Sequence, residues 1–149
     1  MNRTKVGPQA ALKLDSFLCF AIYSANHAFN RVYKPLLDKL KLTYPQYLAI
    51  AILWERDDQT VGSLGEKLFL ESSTLTPMLK RLEALKYISR IRDRNDERQV
   101  RVQLTKAGLA LREKAQAIPA CIIEATGLNP EGAVKLKEEI TKLRASLVW

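Results

Sequence analysis

Between Ser63 and Leu104 the hydrophobic period of the chain switches from helical to alternating, and few folds accommodate that switch in so short a stretch. Leu64 and Leu68 share one face of a short helix, with Gly65 and Glu66 between them. A second helix opens at Ser72-Ser73-Thr74 and is expected to bury Leu75, Leu79, Leu82 and Leu85. Its other side carries Thr74, Thr76, Lys80 and Arg81. After Lys86, Ser89-Arg90-Ile91-Arg92 leads out and Val100-Arg101-Val102-Gln103-Leu104 returns with apolar residues alternating, so the polar run Asp93-Arg94-Asn95-Asp96-Glu97-Arg98 is a turn. Two short helices followed by a basic hairpin make a helix-turn-helix with a wing. In that arrangement the second helix enters the DNA major groove and the hairpin reaches the flanking minor groove.

Charge agrees with this placement. From Thr76 to Lys106 there are nine Lys/Arg and four Asp/Glu, a local excess that makes up more than half of the net charge of +8. A pI near 9.6 favours an acidic polyelectrolyte partner, for which DNA, RNA and anionic membranes all qualify. Basic residues that merely form a solvated face would not be expected to fall in helix-turn-helix-wing order. The longest apolar run, Tyr47 to Trp54, is far too short to span a bilayer. The basic start, Met1 to Pro8, lacks the apolar core and cleavage site of a signal peptide, so a cytoplasmic location is expected.

Around the winged stretch lie longer helices. Residues 1–13 read as a basic Gly-Pro lead, loose or draped over a partner. Asp15 or Ser16 is then positioned to cap a helix carrying Phe17, Leu18, Phe20, Ile22, Phe29, Val32, Leu36 and Leu40. So much apolar circumference has to be covered on several sides, and in a chain this small a second subunit is the obvious cover. Pro35 should kink or break this helix. Thr43 and Pro45 suit the start of the next, a core helix ending at Glu55-Arg56-Asp57-Asp58. Beyond the wing, Thr105 opens a helix with Leu109, Leu111, Ala115 and Ile118 as apolar positions, interrupted near Pro119 and continuing through Cys121. Asn129-Pro130 opens the last, with Leu136, Ile140, Leu143 and Leu147 on one stripe.

Two cysteines, one histidine and no paired ligand spacing leave no expected metal site, no cofactor loop is present, and His27 in a helical run is no catalytic base. Cys19 falls within about one turn of a helix start, where free N–H groups and the dipole favour a thiolate. Tyr23 follows one turn on, while Tyr33 and Tyr44 come from the helix end and the start of the next. They could reach a Cys19 of the same or of the partner subunit and donate O–H hydrogen bonds to its sulfur. On spacing alone, a packed cysteine with packed tyrosines is the stronger reading.

The segments Leu18-Cys19-Phe20-Ala21-Ile22-Tyr23, Tyr33-Lys34-Pro35-Leu36-Leu37-Asp38-Lys39-Leu40, Leu42-Thr43-Tyr44-Pro45-Gln46-Tyr47, Thr74-Leu75-Thr76-Pro77-Met78-Leu79-Lys80-Arg81 and Asp96-Glu97-Arg98 change that balance. They closely resemble the organic-hydroperoxide-sensing branch, OhrR, of the MarR family of winged-helix repressors, over about Leu14 to Leu147. The Asp-x-Arg element is shared by MarR proteins in general; the Leu-Cys-Phe, Thr-Tyr-Pro-Gln-Tyr and Thr-Leu-Thr-Pro runs are more specific to the peroxide sensors. The resemblance implies a mainly α fold, a winged helix-turn-helix with a small β-hairpin wing and long N- and C-terminal helices forming an intertwined homodimer on a palindromic operator in double-stranded DNA. Residues 14–45 and 106–149 would be the dimerisation helices and 46–105 the DNA-binding unit, in one compact chain. The resemblance further implies Cys19 as the redox-sensing residue, with Tyr33 and Tyr44 as partners and Tyr23 close by. It assigns DNA contacts to Ser73, Thr74, Thr76 and Arg81, with Arg98 in the minor groove oriented by Asp96. Lys80, Arg92 and Arg94 join them from the charge pattern.

Oxidation of the Cys19 thiolate by an organic hydroperoxide would then release the operator, through a disulfide to the resolving candidate Cys121 or through a small thiol. A MarR-type repressor answering a small aromatic ligand, a thiol peroxidase and a non-specific DNA binder are the competing readings. The resemblance places the chain among regulators rather than enzymes.

Overall fold

The computed structural model describes residues 12–147. Most of the basic lead therefore lies outside the described residues. A single 3-10 turn, Leu14–Ser16, precedes α1, Leu18–Asp38. The cap of α1 is Phe17, which offers no side-chain acceptor, rather than Asp15 or Ser16. Those two are spent inside the preceding turn, where Ser16 Oγ donates to the Lys13 carbonyl at 2.7 Å. Pro35 does not break α1: it sits in the last turn, where few hydrogen bonds remain to be lost.

Helix α2, Tyr44–Glu55, begins with a reciprocal capping box. Thr43 Oγ1 accepts from the Gln46 N–H at 3.4 Å and Gln46 Oε1 accepts from the Thr43 N–H at 2.9 Å. The helix is central because Ala49, Ile50 and Leu53 are almost wholly removed from solvent. Strand β1, Gln59–Thr60, leads directly into α3, Val61–Leu68, whose first turn Thr60 caps. The chain turns at Phe69, in the left-handed region at φ 57°, and enters α4, Ser72–Ala84. Strands β2, Ile88–Arg92, and β3, Val100–Leu104, follow, then α5, Lys106–Ala115, α6, Ile118–Thr126, and α7, Pro130–Ser146.

The wing is more than a hairpin. β1 pairs antiparallel with β3, with Gln59 opposite Val102, so the sheet has three strands in the order β1-β3-β2. Gln59 is buried, and both ends of its amide are used: Nε2 donates to the Arg56 carbonyl at 2.6 Å, and Oε1 accepts from Ser63 Oγ at 3.0 Å and Lys67 Nζ at 2.7 Å. A buried amide satisfied this way joins the end of α2 to α3. On α4 the buried stripe is Leu75, Met78, Leu79 and Leu82. Leu85, expected to extend it, is exposed because the helix ends at Ala84 and Lys86 turns left-handed at φ 64°.

The start of α5 is fastened to the lobe. Thr105 Oγ1 donates to the Lys86 carbonyl at 2.6 Å, the Thr105 N–H to the Tyr87 carbonyl at 3.1 Å, and Trp54 Nε1 to the Gly108 carbonyl at 3.0 Å. Gly108 lies so close to β2 that a Cβ there would stand 2.0 Å from the Tyr87 carbonyl oxygen. Of the apolar positions read on this stretch, Leu111, Ala115 and Ile118 are buried, whereas Leu109 faces outward and is exposed. The chain breaks at Gln116 and Ala117, ahead of Pro119, which occupies the first turn of α6.

Two helices stay apolar and uncovered within the chain. Only Leu37 of α1 is buried, and none of α7 is; Phe20, Ile22, Phe29, Leu136 and Ile140 are all exposed. At the far end of α7 the Arg144 guanidinium lies 4.3 Å over the Phe69 ring.

Gly108→Ala is expected to lower the free energy of unfolding by about 2–4 kcal/mol, because the added methyl meets backbone rather than a flexible side chain. Gly62→Ala, whose Cβ would meet only Thr60 Oγ1 at 3.9 Å, should be neutral or slightly stabilising. Urea unfolding at one fixed protein concentration compares the two, and equal midpoints would refute the close-approach account.

Candidate nucleic-acid interface and thiol site

Helix α4 presents Ser73, Thr74, Lys80 and Arg81 as exposed side chains, with Thr76 half-buried beside them. Its opposite stripe is fixed in the core, so this face cannot rotate inward without exposing Leu75, Leu79 and Leu82. Arg92 ends β2, and Arg94 and Arg98 stand on the exposed turn between β2 and β3. Asp96 orients Arg98: its Oδ1 accepts from the Arg98 N–H at 3.1 Å and from Arg98 Nε at 3.2 Å, while the Arg98 side chain remains 91% exposed. At that exposure the pair aims the guanidinium and adds little stability. All nine residues proposed from sequence for this face therefore belong to α4 and the wing. A cleft of about 360 Å³ between them is lined by Ser72, Thr76, Arg90 and Arg98.

What holds the wing in place was not legible from its own stretch. Arg101, in the middle of β3, donates Nε to Asp58 Oδ1 at 2.8 Å, Nη2 to the Asp58 carbonyl at 2.8 Å and Nη1 to Asp93 Oδ2 at 3.0 Å. Asp93 also receives the backbone N–H groups of Asn95 and Asp96, at 2.7 and 3.2 Å, which closes the wing turn. Next to it, Asp57 Oδ1 accepts from the Leu104 N–H at 2.8 Å. Asp58 takes up φ 56°, a conformation that aspartate tolerates better than most side chains. The Arg101 guanidinium holds the Asp58 carboxyl below its ordinary range; at Asp93 the Asn95 N–H does so first and Arg101 second. On the other side of the wing, Glu83 of α4 accepts from the Arg90 N–H at 3.0 Å and Nη2 at 3.2 Å. The wing is thus tied both to Asp58, just ahead of β1, and to α4.

The thiol site is split. Cys19 is the second residue of α1 and is exposed, as is Cys121 in α6; both are free thiols. Tyr33 lies fourteen residues further along the same helix, roughly 21 Å at 1.5 Å per residue, so one chain cannot bring Cys19 to Tyr33. Tyr23 follows Cys19 by one turn of α1, as its spacing implies; exposed, it stands edge-on to His27 with ring centroids 4.4 Å apart. Tyr33 and Tyr44 do meet, at 4.7 Å between centroids, and Tyr47 adjoins Tyr33 at 5.9 Å. Burial, with Tyr44 and Tyr47 alongside, pushes the Tyr33 phenol up to about 12, and burial raises Tyr44 as well. Both phenols therefore stay protonated donors at neutral pH. Neither has a hydrogen-bond partner among the described residues, whereas the Tyr87 hydroxyl is committed to the Leu40 carbonyl at 3.0 Å.

An exposed basic helix, a three-stranded wing and an uncovered pair of terminal helices define a winged helix-turn-helix transcriptional regulator. The family model for the transcriptional regulators SarA/Rot matches residues 31–117. The organic hydroperoxide resistance transcriptional regulator of Bacillus subtilis (strain 168) is 46% identical over 91% of this chain and 92% of its own. Reduced AbfR bound to DNA superposes with TM-score 0.78 at 34% identity, covering 93% of this chain and 94% of that one, and disulfide-formed AbfR with TM-score 0.65 at 36% identity, covering 91% and 95%; AbfR is from Staphylococcus epidermidis. The chain belongs to the MarR family of winged-helix regulators, in the branch of the organic hydroperoxide regulators.

Because Asp58 and Asp93 are depressed in the folded state, their contribution is present above the ordinary aspartate value of about 3.9 and is lost as pH falls through the lower folded values. The wing anchor should therefore be intact throughout the neutral range and loosen only in acid. Carboxyl carbon shifts followed by NMR should show both aspartates titrating late. In Arg101→Met, Asp58 should return to the ordinary range, and Asp93 should move only part of the way because Asn95 still donates to it. Unchanged titration in that variant would show that Arg101 is not the anchor.

Proposed function

We propose that this chain is a thiol-based transcriptional repressor that binds a palindromic operator as a reduced homodimer and releases it when Cys19 is oxidised by an organic hydroperoxide. The observation that carries this reading is the split site. Two protonated phenols without hydrogen-bond partners, Tyr33 on α1 and Tyr44 at the start of α2, stand together out of reach of their own chain's Cys19, and α1 keeps its apolar side uncovered. An antiparallel second copy brings its Cys19 to Tyr33 and Tyr44. Residues 14–45 and 106–149 supply the helices of the paired core and 46–105 the reading lobe, with the first turns of α5 fastened to the lobe as well.

In such a dimer the two α4 helices enter successive major grooves about 34 Å apart. Ser73, Thr74, Thr76, Lys80 and Arg81 face bases and phosphates, and Arg92, Arg94 and Arg98 reach the flanking backbone and minor groove. The Cys19 thiolate attacks the peroxide O–O bond and becomes a sulfenic acid. A disulfide to Cys121 of the partner subunit then pulls α1 and α6 into a new relation and rotates the lobes off that spacing. The disulfide-formed relative supports this route over a small-thiol one. Cytoplasmic action on DNA follows from this reading, and no helix among the described residues is long and apolar enough to cross a membrane.

Fluorescence anisotropy on an operator duplex selected from random sequence tests the proposal. Wild type should lose affinity by at least about tenfold after one equivalent of cumene hydroperoxide, Cys19→Ser should stay bound, and Cys121→Ser should respond only when a small thiol is added. A Cys19→Ser protein that still releases DNA would sink the sensor reading. Arg98→Ala should weaken operator binding by about 1–3 kcal/mol while leaving the rate of Cys19 oxidation unchanged.

A further inference from the structure

Beside the tyrosine pair lies a cleft of about 290 Å³ between α1 and the start of α2, lined by Asn30, Tyr33, Leu37, Leu42, Tyr44 and Pro45. Asn30 stands one turn before Tyr33 on the same helix face. Its side-chain oxygen is covered and has no hydrogen-bond donor among the described residues. A buried carbonyl left without a donor is disfavoured, so the amide gains by turning toward any donor that enters the cleft. The tyrosines offer the complementary half. Burial keeps both phenols protonated, so they donate and do not accept from one another as phenolates.

Lys34 and Asp38 also line the cleft but are paired with each other at 3.2 Å, and Thr43 Oγ1 serves the cap of α2. The groups left over, two phenol donors and one amide acceptor, are more than a bare thiolate can use, because it has nothing to donate to Asn30. They match a molecule with an O–H group and accepting oxygens on an apolar body. Resting on the sensing role proposed above, we infer that Asn30 is a substrate-positioning residue: its carbonyl oxygen accepts the O–H of the incoming organic hydroperoxide and points the terminal oxygen at the partner's Cys19. The S–O bond forms as the O–O bond breaks. Sulfur is oxidised by two electrons, the peroxide is reduced to the alcohol, and the proton held by Asn30 passes to the departing alkoxide, so that thiolate and hydroperoxide give sulfenate and alcohol. Leu37, Leu42 and Pro45 take the organic part.

The test compares wild type, Asn30→Ala and Asn30→Ser as full-length dimers. Stopped-flow measurement gives the second-order rate of Cys19 oxidation by cumene hydroperoxide, and alkylation by iodoacetamide gives the thiol's own reactivity. Asn30→Ala should oxidise about 10- to 100-fold more slowly, with alkylation and reduced-state operator affinity unchanged, and Asn30→Ser, which keeps an accepting oxygen, should recover most of the loss. Oxidation of Asn30→Ala at the wild-type rate overturns the assignment. So does a parallel fall in oxidation and alkylation, which would make Asn30 a packing residue, or a serine variant no faster than alanine. If wild-type Cys19 is alkylated but not oxidised by the hydroperoxide, the sensing role itself fails, which is a different result from a wild type that oxidises normally beside an indifferent Asn30→Ala.

Discussion

A straight helix cannot fold back on itself, and the length of α1 governs what this protein can do alone. Its rise fixes Cys19 and Tyr33 at opposite ends of one rod, and the rest of the molecule is arranged around that separation. The apolar residues left open on α1 and α7 make the single chain incomplete in energy, and the separated thiol and phenols make it incomplete in chemistry. In the proposed dimer both deficits are met by the same neighbour, so that assembly and sensing would depend on one surface.

The reading lobe is rigid for a different reason. Its wing strands are short and partly exposed, so packing alone would leave the wing loose. Order comes from polar groups brought together across long sequence separations. Arg101 reaches Asp58 forty-three positions away and Asp93 within the wing turn, and Glu83 holds Arg90. The Arg98 side chain, exposed and aimed by Asp96, is thereby carried on a platform whose base is fixed.

Sequence patterning revealed whatever is periodic or local. The α4 stripe, the strand alternation, the Thr43 capping box and the Asn129 cap all follow from residues close together in the chain, and the helix-turn-helix-wing order follows from them. The misreadings share a cause. Leu85 continues the stripe by spacing alone, because nothing in the period announces that Lys86 will turn left-handed, and Leu109 is as apolar as Leu111 although only Leu111 meets the lobe. β1 is too short to alternate, and its pairing with β3 is a tertiary event. The Asp58–Arg101 tie has no sequence signal except an acidic pair after α2 and an arginine where the strand alternation called for a polar residue. The tyrosine pair is visible as residues, but only the extent of α1 shows that Cys19 of the same chain lies too far away to join it.

The fastening of α5 to the lobe has a mechanical corollary. Gly108 seated on the Tyr87 carbonyl, Thr105 bonded to the Lys86 and Tyr87 carbonyls and Trp54 bonded to Gly108 make the first turns of α5 part of the lobe's rigid body. The Tyr87 hydroxyl clasps Leu40 in the same way on the other side. A lobe that swings must carry α5 along as a lever arm, and the compliant joint is left at Gln116 and Ala117, where the helical hydrogen bonding lapses just before α6. Cys121 stands one turn beyond that joint, in α6.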